Sequence, residues 1–190
     1  MSVTSDYVGS VRPWARTVTL TAAATTLTVD GIPAIPGASL LITVTARSDR
    51  EAQASDLLRV QFGTAGVVDT GASYLYIARE ITDTTAVTVD TAATEDTSMR
   101  FGRTSIPGAS AAASIPGGGA GWVPAYANTT FFKLFQVAAG HVDDSVSNDV
   151  YRTAISSAVW KNTAAVDTVL IFPELGTNLT AGSSMRVVVL

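Results

Sequence analysis

Two runs near the C-terminus decide the fold. They are Val166-Asp167-Thr168-Val169-Leu170-Ile171-Phe172 and Ser184-Met185-Arg186-Val187-Val188-Val189-Leu190. Both are dense in β-branched and apolar residues, which pack well on a pleated, half-buried surface. Pro173 ends the first, and Gly176-Thr177-Asn178 supplies turn chemistry behind it. Gly182 then allows a tight turn into the second. The pair reads as a hairpin: two strands around one turn, with the last strand paired into a sheet.

Working outward, period-two alternation recurs along the chain and no sustained helical stripe does. Val18 and Leu20 alternate with threonines, as do Leu27 and Val29. Leu40, Ile42, Val44 and Ala46 face one way, with Thr43, Thr45 and Arg47 opposite. Leu58, Val60 and Phe62 alternate with Arg59 and Gln61. Val87 and Val89 flank Thr88, Met99 and Phe101 flank Arg100, and Phe132 and Leu134 alternate with Lys133. Asp30-Gly31-Ile32-Pro33, Pro36-Gly37, Gly63, Gly66, Asp69-Thr70-Gly71 and Gly140 punctuate the runs. The spacing predicts an all-β, antiparallel sandwich or barrel. The alanine runs at Ala22 to Ala24 and Ala111 to Ala113 are too short to hold a helix. Glu51-Ala52-Gln53-Ala54 has the propensity for one helical turn within Arg50 to Asp56.

No domain boundary is visible. The expected organisation is an N-terminal arm, residues 1–16, followed by one sandwich domain, residues 17–190. The arm carries Tyr7 and Trp14 and is expected to reach toward a neighbour. Thr104 to Gly121 is expected to be a long Gly/Ala/Ser/Pro loop, since it holds Ile106-Pro107-Gly108 and Ile115-Pro116-Gly117-Gly118-Gly119 and no charge.

Composition narrows the function. Hydrophobic residues make up 47% of the 190 and charged residues only 15%, against about 25% charged in an average soluble domain. Mean hydropathy is +0.31. Such a surface is expected to be buried by partners. The formal net charge is −4. Lys133 and Lys161 are the lysines, and ten arginines are scattered without a run. Electrostatic nucleic-acid binding needs clustered cations, so it is not expected. Cysteine is absent, which excludes disulfides and thiolate metal sites. No apolar run approaches the ~18 residues of a membrane span, so membrane insertion is not expected. No secretory signal is visible, and the sequons at Asn128 and Asn178 carry no weight without one.

Four motifs invite chemistry, and each has a plain competitor. Val67-Val68-Asp69-Thr70-Gly71-Ala72-Ser73 matches the aspartic-protease signature. That chemistry needs two carboxylates sharing a proton, a glycine-rich flap and a bracing glycine after a later strand. Gly117-Gly118-Gly119 is too distant to be the flap and no bracing segment follows, so an Asp-Thr-Gly turn is the expected reading. Asp143, Asp144, Asn148 and Asp149 offer hard oxygens without EF-hand spacing and read as a solvated loop. His141 is the single histidine and reads as a loop residue beside Gly140. No Gly-Lys-Ser/Thr follows the glycine run, so it is not a phosphate loop. No catalytic residue, cofactor or metal is therefore expected. The aromatics Trp122, Tyr126, Phe131, Phe132, Phe135 and Trp160 read mostly as core. Phe131, Phe132 and Phe135 cannot all face one core, because neighbours in a strand point oppositely. One face of that strand is expected to meet a second sheet or another subunit.

Three stretches carry a resemblance. Val18 to Pro33 runs strand, short alanine turn, strand, Ile-Pro. Val123-Pro124-Ala125-Tyr126-Ala127-Asn128-Thr129-Thr130-Phe131-Phe132-Lys133 follows a spaced aliphatic, Tyr and Lys pattern. Trp160-Lys161-Asn162-Thr163-Ala164-Ala165-Val166 opens the C-terminal pair. In this order they resemble jelly-roll proteins of tailed-bacteriophage virions, of the capsid-decoration, head-fibre or tail receptor-binding type. The chain departs from that pattern in ending Val188-Val189-Leu190, where an aromatic-glycine pair is common. The resemblance implies a jelly-roll-like β-sandwich and a structural protein on the virion surface. It implies a symmetric homo-oligomer, a homotrimer, working as a capsid decoration or cement protein against a major capsid or other virion protein. The alternative is a tail or head-fibre module binding a host surface glycan, and a protease reading of Asp69-Thr70-Gly71 stands furthest off. Trp14, Trp122, Tyr126 and Phe131 are the expected partner-contact residues.

Overall fold

The computed structural model describes residues 13–51, 53–82, 87–112, 115, 117–145 and 148–190, with the backbone alone at 90–94, 143–145 and 148–150. Expectations for residues 1–12 of the arm lie outside the described residues. The chain forms β1 (Ala15–Thr19), β2 (Leu27–Val29), β3 (Leu40–Ala46), β4 (Ser55–Asp56), β5 (Leu58–Thr64), β6 (Val67–Val68), β7 (Tyr74–Thr82) and β8 (Val87–Asp96). It continues with β9 (Met99–Arg100), β10 (Ile106–Pro107), β11 (Gly117–Val123), β12 (Lys133–Ser145), β13 (Asn148–Trp160), β14 (Thr168–Pro173) and β15 (Ser184–Val189). Among the described residues there is no helix, including at Arg50 to Asp56, where a turn leads into β4. Every pairing between described strands is antiparallel.

Two sheets face each other. The larger has the order β1-β15-β3-β11-β12-β13-β7-β8, and the smaller runs β2-β14-β5-β6 with β9 also on β5. A third, two-stranded ladder joins β4 with β10, and Ile106 of β10 is buried in the core. One apolar core lies between the sheets. Leu27, Val29, Leu58, Val60, Phe62, Val169 and Ile171 enter it from the small sheet, and Leu40, Ile42, Val123, Phe135, Trp160 and Val187 from the large one. Phe62 reaches across the gap to meet Phe135 at 5.4 Å and Trp160 at 5.9 Å, both edge-on. Tyr74 stacks on Trp160 at 6.5 Å. Burial of each large apolar side chain stabilises by about 1.5–3 kcal/mol, so this aromatic knot is what clamps sheet to sheet.

The sandwich departs from the sequence reading at four places. First, the two C-terminal strands are not a hairpin. Strand β14 pairs with β2 and β5 in the small sheet, while β15 lies between β1 and β3 in the large one. The turn residues between them carry the chain across the core. Second, Gly117–Val123 is no loop but β11, in the interior of the large sheet between β3 and β12. Its glycines are required by proximity: a Cβ on Gly119 would lie 2.2 Å from the carbonyl oxygen of Ala138, and one on Gly121 would lie 2.3 Å from the Phe135 ring. Third, β12 has the opposite phase to that expected. Lys133, Phe135 and Val137 face the core, and Leu134 and Gln136 face water. Fourth, β1 already begins at Ala15, within the stretch assigned to the arm.

Candidate functional site

The widest chemically distinctive surface is the outer face of the large sheet. The registers place Leu41, Trp122, Gln136, Ser157 and Ile77 in one row across five strands. The next row holds Thr43, Ala120, Ala138, Ile155 and Arg79, continuing to Val89 of β8. Because strand residues alternate faces, each of these points away from the core that its neighbour builds. Tyr151, Ile155, Ile81 and Val87 are at least half exposed there, and Trp122 and Leu134 somewhat less. Between these larger side chains the floor is low, formed by Gly118, Ala120, Ala138 and Gly140. The low floor opens two shallow depressions, of about 420 Å³ beside Trp122 and about 530 Å³ beside Tyr151. Among the side chains described on β3, β11, β12, β13 and β7, Arg79 is the one charged group on this face.

The residues expected at a partner contact are placed differently from one another. Trp122 stands on the face, 42% exposed. Phe131, 69% exposed, projects from the turn that precedes β12, with half-exposed Phe132 beside it. Trp14 packs against the core from the β1 edge. Tyr126 is fully enclosed and cannot meet a partner. Its hydroxyl donates to the Pro33 carbonyl and accepts from the Ile35 amide at 3.2 Å, tying the 124–127 turn to the Ile32–Ile35 loop. Burial raises its pKa.

Lys133 explains the loop that presents Phe131. Its buried ammonium donates to the carbonyls of Asn128 at 2.6 Å, Phe131 at 2.9 Å and Thr163 at 2.9 Å. Desolvation lowers its pKa. Three carbonyl acceptors make a cation tolerable at that depth. The Asn128 side chain adds bonds from the amides of Thr130 at 2.7 Å and Phe131 at 3.1 Å.

Several titratable groups outside the face are engaged in holding the fold. The Asp69 carboxylate accepts from the Trp160 indole at 2.7 Å and the Gly71 amide at 2.9 Å, and the Asp69 carbonyl accepts from Tyr74 at 2.9 Å. Burial raises its pKa, but the bonds from Trp160, Gly71 and Ser73 outweigh this and hold it below the ordinary carboxylate value. The Asp-Thr-Gly motif is thus a turn locked onto the core tryptophan. Glu80, buried, receives Arg152 at 2.5 Å. Arg59 and Arg100 share Glu174 at 2.6 and 3.0 Å and both lie over the Tyr76 ring. His141 is not in a loop: it lies in β12, paired with Arg152 of β13, and is buried. Asp143, Asp144, Asn148 and Asp149 close the β12–β13 hairpin, and their side chains lie outside the described residues. Among the described residues no group of three His, Cys, Asp or Glu gathers to hold a metal.

The sequence reading missed the strands that build most of the face. Tyr74-Leu75-Tyr76-Ile77-Ala78 and Tyr151 to Trp160 carry apolar residues at both phases, so alternation cannot orient them. The usable signal was this excess itself: a strand apolar at both phases turns apolar side chains away from the core as well as into it. Comparison of the chain with protein-family models, curated proteins and solved structures finds no match.

Proposed function

We propose that the chain is a structural protein of a tailed-bacteriophage virion, with a jelly-roll-like sandwich that assembles as a symmetric homotrimer and decorates or cements the capsid surface. The observation that carries the reading is the broad outer face of the large sheet, where Arg79 is the one charged group among the side chains described on β3, β11, β12, β13 and β7. A face of that kind is suited to passive burial against protein and offers no convergent acid, base or nucleophile. The resemblance of the Val18 to Pro33, Val123 to Lys133 and C-terminal stretches supplies the virion context and the threefold symmetry.

The test combines mass and attachment. Native mass spectrometry is expected to give three times the 19.6 kDa chain mass. The oligomer is then mixed with purified phage heads and co-sedimented, alongside a chain lacking Met1 to Ser10. Attachment by the full chain and weaker attachment by the shortened one support the reading. Failure to attach to any head tested, together with binding on a glycan array, moves the assignment to a receptor-binding module.

A further inference from the structure

We infer that the outer face of the eight-stranded sheet is covered in solution by a second copy of this chain. The inference rests on the homo-oligomer reading above and gives it a surface. Area is the first argument. Trp122, Tyr151 and Ile155 are 42%, 58% and 57% exposed. With Ile77, Ile81 and the valines of β8, the apolar area left to water on this face is roughly 700 Å², taking a large aromatic side chain as about 150–250 Å². That exceeds the ~300–600 Å² of the largest patch on a typical monomer and approaches the ~800 Å² each partner contributes to a standard interface.

Charge is the second argument. A partner of different chemistry selected by charge would need complementary groups, and Arg79 is the one charged group among the side chains described on the five central strands. A face this neutral can be buried against the surface of a second copy without stranding buried ions, whose desolvation would cost more than their pairing returns. Shape is the third. The floor of Gly118, Ala120, Ala138 and Gly140 lies lower than Trp122 on one side and Tyr151 on the other. A neighbour's larger side chains can settle into that relief, as facing sheets interdigitate in a sandwich.

The experiment compares the wild type with Ile155→Lys, Ile77→Lys and a control, Leu175→Lys, whose exposed side chain lies in the turn after β14, off the face. Native mass spectrometry and light scattering at micromolar concentration report the assembly, and circular dichroism reports the fold. The wild type and Leu175→Lys are expected to be oligomers, and both face variants monomers with the wild-type spectrum. If both face variants stay assembled, the face is not the contact, while the homo-oligomer reading survives. If the wild type is itself a monomer, the homo-oligomer reading fails as well. Should the face variants misfold, hydroxyl-radical footprinting of the wild type decides. Trp122 and Tyr151 are expected to be protected at micromolar concentration and to lose protection on dilution. Full labelling of both at micromolar concentration overturns the inference.

Discussion

Replacing Gly119 by alanine tests the least anticipated feature of the fold, a glycine strand inside the large sheet. Gly119 has no positive φ, so its backbone conformation is open to alanine, and in a loop the change would stabilise by about 0.4–1 kcal/mol through the unfolded chain. In β11 it meets a wall. The new Cβ would stand 2.2 Å from the Ala138 oxygen and 2.6 Å from the Ala139 Cα, both backbone atoms of β12. Relief to an ordinary contact needs about 1 Å of separation, which opens the ~4.8 Å strand spacing and stretches adjacent N–H···O bonds from about 2.9 to nearly 4 Å, beyond hydrogen-bond range. Two such interior bonds, at about 1 kcal/mol each, plus about 1–3 kcal/mol of overpacking, give a net loss near 3 kcal/mol after the entropy gain. For a chain of this size that is a fall in Tm of roughly 6–12 °C. Thermal unfolding by circular dichroism at one fixed protein concentration measures it, since assembly makes Tm concentration-dependent. A Gly119→Ala variant within about 0.5 kcal/mol of wild type, or more stable, would refute the placement of Gly117–Val123 between β3 and β12.

Two further outcomes are expected. Asp69→Asn loses the charged acceptor of the Trp160 indole and costs about 1–3 kcal/mol in denaturant unfolding. Because the folded Asp69 carboxyl titrates below its unfolded value of 3.8, its stabilising share is full above that value and fades as pH falls through the folded one. The wild type is therefore expected to lose more stability than Asp69→Asn on acidification below about pH 4, and parallel curves would refute the assignment. Lys133→Met keeps length and burial but leaves three carbonyls without their donor, costing about 2–4 kcal/mol and loosening the Asn128 to Phe131 turn, which amide hydrogen exchange at Phe131 and Phe132 reads directly.

Much of this architecture is written locally. Alternation at Leu40 to Ala46 and Leu58 to Phe62 specifies strands and their buried phase, because one face of each is apolar and the other is not. The low charge content is reflected in the outer face of the large sheet, where Arg79 is the one charged group among the side chains described on its five central strands. The Asp69-Thr70-Gly71 turn was legible as a turn, and its competing protease reading lacked partners even in the sequence. Other features depend on residues distant in the chain. Strands β14 and β15 look like a hairpin because strand propensity is local, whereas the choice of sheet is made by what each apolar face buries. Lys133 looks outward by its charge, yet carbonyls from Asn128, Phe131 and Thr163 converge to receive it. Gly117 to Gly121 has loop composition, yet the backbone of β12 and the Phe135 ring approach so closely that only residues without side chains fit. Sequence by itself determined the all-β class and most strand positions, since these follow from side-chain period and turn chemistry. The tertiary structure alone decided which strands are neighbours, and therefore that Trp122, Ile155 and Ile77, far apart in sequence, share the outer face of the large sheet.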